Sequence, residues 1–89
     1  MEHLVELKRA YDAAAAGDGF RVYIDRLWPR GLSHETFHYD LWDTFAALLE
    51  TIASKPKVTL LYSSHDRAHN NAEVVAAALA SEGWKCVSS

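Results

Sequence analysis

Val58-Thr59-Leu60-Leu61-Tyr62-Ser63 is almost wholly apolar and does not alternate. A strand with one face in water alternates apolar and polar residues. An unbroken run fits a central strand covered on both faces, as in parallel α/β sheets. Upstream, Leu41, Phe45, Leu48, Leu49 and Ile52 recur at helical spacing. Asp40 as N-cap and Asp43 in the first turn suit the positive end of that helix, and Pro56 ends it. Downstream, the polar loop from Ser64 to Asn71 leads into a second helix over 71–81. Ala72, Val75, Ala76 and Leu79 form its buried stripe, Asn70 or Asn71 its cap, and Gly83 its C′ residue. Trp84 to Val87 reads as a short last strand.

The first third of the chain supplies two more strands. Leu4 to Tyr11 places Val5, Leu7 and Tyr11 on one face, with Arg9 near the strand's end, where a charge must be paired or reach solvent. Arg21 to Asp25 alternates around Val22 and Ile24 until Pro29 stops it and Gly31 permits a turn. Between them, Asp12 can cap a helical turn through four alanines that Gly17 or Gly19 ends. That connection is short for a parallel crossover, so an antiparallel hairpin stays open here. The order of elements predicts one α/β domain over 1–89, a small, largely parallel sheet of about four strands flanked by two main helices. Ligands of such sheets bind beyond the carboxyl ends of the strands. Those ends hold Arg9, then Asp25, Arg26, Trp28 and Arg30, then the loop from Ser63 to Asn70.

Composition narrows the function classes. Of 89 residues, 49% are apolar and 11% aromatic, an ordinary globular balance. A net charge of −3 argues against nucleic acid as a partner, and Lys55 and Lys57 read as a solvated charged face. Cys86 is the only cysteine, which forbids an internal disulfide and fits a reducing cytoplasm. No apolar run approaches the roughly 18 residues of a membrane span, and Met1-Glu2-His3 carries no signal pattern. A cytoplasmic protein with no membrane partner is expected.

The polar residues at the strand ends allow several chemistries. Arginine gives planar, bidentate recognition of phosphate or carboxylate, so Arg9, Arg26 and Arg30 suggest an anion pocket. His65, Asp66 and Asn70 join that ligand-binding set from the loop before the second helix. The alternative is a salt bridge from Asp25 to Arg26 or Arg30 that closes the loop. A hydrolase-type enzyme would use Asp25 and His69 as catalytic groups, with Asp66 orienting the imidazole and hydroxyls from Tyr62, Ser63 and Ser64 nearby. No glycine-flanked nucleophile motif surrounds either serine. His69 and Asn70 can equally cap the helix. His65 and His69, with Asp66, His34 or His38, lack the spacing of a metal site, so no metal and no cofactor are expected. A third class is a protein-interaction module, in which Trp42 and Trp84 expose apolar surface that a homodimer would bury.

Asp25-Arg26-Leu27-Trp28-Pro29-Arg30-Gly31-Leu32-Ser33 resembles the signature of the YeaO-like family, a domain of unknown function numbered 488. Lys8 to Asp12 resembles the family's first strand, Val58 to Tyr62 its central strand, and Asp66 to Asn71 its Asp-x-x-His-Asn loop. The resemblance implies an α/β fold and tilts the first two strands toward the parallel arrangement. It brings no activity. Family members carry a longer segment, rich in Trp, Phe and Arg, between the signature and the central strand, where this chain has only Glu35 to Lys57.

Overall fold

A computed structural model describes residues 3–42, 48–65 and 70–87, leaving aside the side chain of Leu49. Its elements in chain order are β1 (Leu4–Arg9), a 3-10 turn (Ala16–Asp18), β2 (Phe20–Tyr23), β3 (Leu41–Trp42), α1 (Leu48–Ile52), β4 (Lys57–Tyr62), α2 (Asn71–Ser81) and β5 (Lys85–Val87). The strands form one five-stranded sheet in the order β3-β2-β4-β1-β5. Every pairing is parallel. The apolar run is the middle strand, and Val58 through Tyr62 are all buried.

Each face of β4 has its own core. Leu60 packs with Val5, Val22 and Ile24 beneath Leu48 and Ile52 of α1 and Ala72, Val75, Ala76 and Leu79 of α2. On the other face, Leu61, Tyr23 and Ala10 meet Phe37, with Trp28, Leu32 and Tyr39 packed around them. The helices therefore share one face and the loops cover the opposite one. Right-handed crossovers require this, because β3 to β4 and β4 to β5 move one way along the sheet while β1 to β2 and β2 to β3 move the other.

The hairpin alternative is excluded. β1 and β2 are not neighbours; both run parallel to β4, on either side of it. Two strand spacings amount to about 10 Å. Residues 10–19 reach roughly 33 Å when extended, enough to return along the strand and step over one neighbour without a helix. The alanines accordingly form no longer helix than the 3-10 turn. Asp12 closes the end of β1 instead: its Oδ2 accepts from the Arg9 N–H at 2.9 Å, and its own N–H donates to the Arg9 carbonyl at 2.9 Å.

The turn is fastened under the sheet by Asp18. Lys8 Nζ lies 3.1 Å from its Oδ1, and Arg21 pairs with its Oδ2. Thr59 Oγ1 donates to its carbonyl at 2.7 Å. Gly19 follows at φ 68°, and a Cβ built there would lie 2.5 Å from the Lys57 carbonyl oxygen. Gly19→Ala is therefore expected to lower stability by about 1–3 kcal/mol through backbone strain, before any displacement of β4 is added. The urea midpoint measures it.

One expected boundary is corrected. Asp40 does not cap a helix, and Leu41 and Trp42 do not begin one. Asp40 bridges the edge of β2, donating its N–H to the Arg21 carbonyl at 2.7 Å and accepting from the Arg21 N–H at 2.8 Å. The next two residues then pair with Val22 and Tyr23 as a fifth strand. Asp43, expected in the first turn, and Phe45, of the expected stripe, lie outside the described residues. The second helix matches its expected range, buried stripe and cap: Asn70 Oδ1 accepts from the Glu73 N–H at 3.0 Å, and Gly83 follows at φ 96°. No helix among the described residues is long and apolar enough to cross a membrane.

Candidate functional site

The loops after β1 and β2 turn to one face of the sheet, while the chain after β4 turns to the other. A crevice therefore opens on each side of β4 at its carboxyl end, the position open α/β sheets use for ligands.

The loop after β2 is heavily tied. The Tyr23 hydroxyl donates to the Leu27 carbonyl at 2.6 Å, and Trp28 Nε1 donates to the Leu32 carbonyl at 2.6 Å. The Leu32 N–H reaches the Pro29 carbonyl at 3.3 Å across a turn whose third residue, Gly31, has φ 86°. That conformation is unfavourable for a residue with a Cβ. Trp28 stacks on His34 at 3.8 Å and meets Phe37, Tyr39 and Trp42 edge-on. Pro29 is buried. Burial raises the Tyr23 phenol above its ordinary range; the Asp25 charge and Tyr11 add to this, and a hydrogen bond with Ser63 offsets part of it.

Asp25 joins three elements. Its Oδ2 accepts from the Ser63 N–H at 2.7 Å and the Ser63 hydroxyl at 2.8 Å. Its Oδ1 accepts from Asn71 Nδ2 at 3.0 Å. The end of β2 is thereby fixed to the end of β4 and the start of α2. Among the described residues Asp25 forms no ion pair with Arg26 or Arg30, so a salt bridge is not what closes the loop.

Arg9 straps the chain after β4. Its Nε donates to the Ser64 carbonyl at 2.9 Å and its Nη2 to the Ser63 carbonyl at 3.2 Å, with His65 Nδ1 3.4 Å away. The guanidinium also sits 4.8 Å from the centre of the Tyr11 ring. The Tyr11 hydroxyl in turn donates to the Arg30 carbonyl at 2.8 Å, which fixes the backbone of the turn.

These contacts frame an open cleft of about 580 Å³. Arg9, Arg30, Ser63 and His65 form its polar side, and Tyr11, Leu27 and Trp28 its apolar side. Three residues expected to bind ligand thus meet in one place: Arg9, Arg30 and His65. Arg26 is exposed but does not line the cleft, and the Asn70 side chain is occupied as the cap of α2. Asp66 and His69 lie outside the described residues. The Arg30 guanidinium has no acceptor among the described residues. Tyr11, Leu27, Trp28 and Ser63 are not assigned to a ligand by sequence alone. Leu27, between Arg26 and Trp28, is 80% exposed, and no local pattern separates it from a core residue. Among the described residues no three or more His, Cys, Asp or Glu groups gather to hold a metal ion.

Comparison with known proteins agrees with the signature. Residues 4–47 match the family model described as the inactive DUF488-N3 subclade. The chain is 31% identical to the uncharacterized protein YeaO of Escherichia coli (strain K12) over 107 aligned positions, covering 81% of this chain and 93% of that protein. Those positions outnumber the 89 residues present here, so the relative carries residues this chain lacks. No solved structure matches significantly. The match to YeaO spans nearly all of that relative and about four fifths of this chain, and the chain belongs to the YeaO-like family of the DUF488 domain.

Proposed function

We propose that the protein binds a small anionic ligand, bearing a phosphate or carboxylate, in the cleft at the carboxyl ends of β1, β2 and β4, and does so without turning it over. The observation that carries this reading is Arg30. Its backbone is held by Tyr11 and by the Pro29–Leu32 turn, yet its guanidinium is spent on no internal acceptor among the described residues. A charged, multi-donor group on a rigid support is the arrangement that recognises an oxyanion with little ordering penalty. Arg9 contributes positive charge from beneath, although two backbone carbonyls already occupy part of its donor set.

Binding without turnover is supported by Asp25 and by the description of the matched family model as an inactive subclade. Both Asp25 oxygens hold other groups in place, which is positioning work. A hydrolase-type reading would use Asp25 together with His69, and His69 lies outside the described residues.

A thermal-shift series with phosphate, sulfate and simple carboxylates tests the proposal. An anion at 100 times its Kd adds about 2.7 kcal/mol, seen as a raised Tm. Arg30→Ala is expected to fold with an unchanged Tm and to lose that response. A variant that unfolds would make Arg30 structural, and a full response in the variant would place the anion elsewhere.

A further inference from the structure

The cleft also constrains the ligand's shape. Resting on the anion-binding reading above, we infer that the ligand is an organic anion carrying a flat aromatic ring, about the size of a nucleoside monophosphate, and not a bare inorganic ion.

Size comes first. A volume of about 580 Å³ falls within the range of small-molecule sites, roughly 300–1,000 Å³, and far exceeds what one phosphate or sulfate fills. The lining comes second. Leu27 belongs to neither core, yet its carbonyl is clamped by the Tyr23 hydroxyl, so a fixed backbone projects an apolar side chain into solvent at the cleft. Tyr11 is 41% exposed and held at both ends, by Arg9 against its ring and by its hydroxyl on the Arg30 carbonyl. Trp28 is backed by His34 and the surrounding rings. Rigid aromatic and aliphatic surface beside cationic groups suits a ring attached to an anion, because stacking and oxyanion pairing act on different parts of one molecule. A site for an inorganic ion alone has no use for an exposed leucine on a clamped backbone.

Two matched pairs of probes, with adenosine as the uncharged control, test this by calorimetric titration: adenosine 5′-monophosphate against ribose 5-phosphate, and 2-naphthoate against acetate. The expected result is that a ring-bearing anion binds at least tenfold more tightly than its ring-free counterpart. Leu27→Ser, at an exposed position outside both cores, is expected to erode that preference at least threefold while leaving the ring-free affinity unchanged. If both pairs agree within threefold, the ring is not recognised and this inference fails, while anion binding survives. If Leu27→Ser leaves a tenfold preference intact, the apolar side of the cleft is not what reads the ring, and the inference fails on that ground. If no probe binds, both readings fall. If adenosine binds as tightly as its monophosphate, the ring is read and the anion is not, which overturns both as stated.

Discussion

Asp18→Ala is expected to remove a large share of the domain's stability. Asp18 is 2% exposed and serves two largely buried cations at once, Lys8 on β1 and Arg21 on β2. Its Oδ2 also accepts from the Ala15 N–H at 3.0 Å. Without the carboxylate, an ammonium and a guanidinium are left side by side under the loops with no counter-charge. Breaking a buried pair by deleting one partner costs about 3–5 kcal/mol. At roughly 0.05–0.15 kcal/mol per residue, a domain this small has only about 4–13 kcal/mol in total. Guanidinium denaturation at neutral pH measures the loss. A drop below about 1 kcal/mol would mean that the cations reach water without strain.

The same carboxylate gives stability a pH dependence. Burial alone would raise its pKa, but the Ala15 N–H, the Lys8 ammonium and the Arg21 guanidinium outweigh burial and hold it below the usual carboxylate range. The unfolded chain therefore binds this proton more readily than the folded one. The contribution is complete above the unfolded carboxylate pKa of about 3.9 and disappears as pH falls through the lower folded value. Asp18→Asn lacks it at every pH, so its deficit against the parent is expected to be largest near neutrality and to shrink on acidification below about pH 4.

The second large effect concerns the middle strand. Leu60→Ala and Leu61→Ala are each expected to cost about 2–5 kcal/mol, although the two side chains point to opposite faces. Leu60 lies under the helices and Leu61 under the loop-borne rings, and both are fully buried. A sheet with a solvated face would lose stability at only one of the two positions. Urea midpoints for the pair measure both cores, and a loss under about 1 kcal/mol for Leu61→Ala would show that the loop face is not packed as described.

What could be read from the sequence follows physical rules that hold position by position. The run at β4 was legible because burial on both faces removes alternation, and α2 because eleven residues carry a stripe, a cap and a terminal glycine. β3 was not legible: Leu41–Trp42 is too short to show a period, and apolar residues further on extend a helical pattern back through it. The Lys8–Asp18–Arg21 network was hidden because β1 and β2 are brought together across β4, a non-local step that no local pattern encodes. In the cleft, Arg9 and Arg30 stood out as charges at strand ends. Tyr11 and Leu27 did not, since apolar residues beside a strand read first as core. Asp25 was singled out from its place at a strand end, but its partners, Ser63 and Asn71, come from the end of β4 and the start of α2, which no local pattern links to it.

The proposed anion site lies at the carboxyl ends of β1, β2 and β4. An NMR titration of isotopically labelled protein tests it most directly, following backbone amides and the arginine Nε–H groups as adenosine 5′-monophosphate and phosphate are added. Saturable shifts are expected at Arg9, Tyr11, Trp28, Arg30, Ser63 and His65, with Gly19, Phe20 and Lys57 at the opposite end of the sheet unmoved. Saturable shifts centred on that opposite end, or none at millimolar ligand, would contradict it.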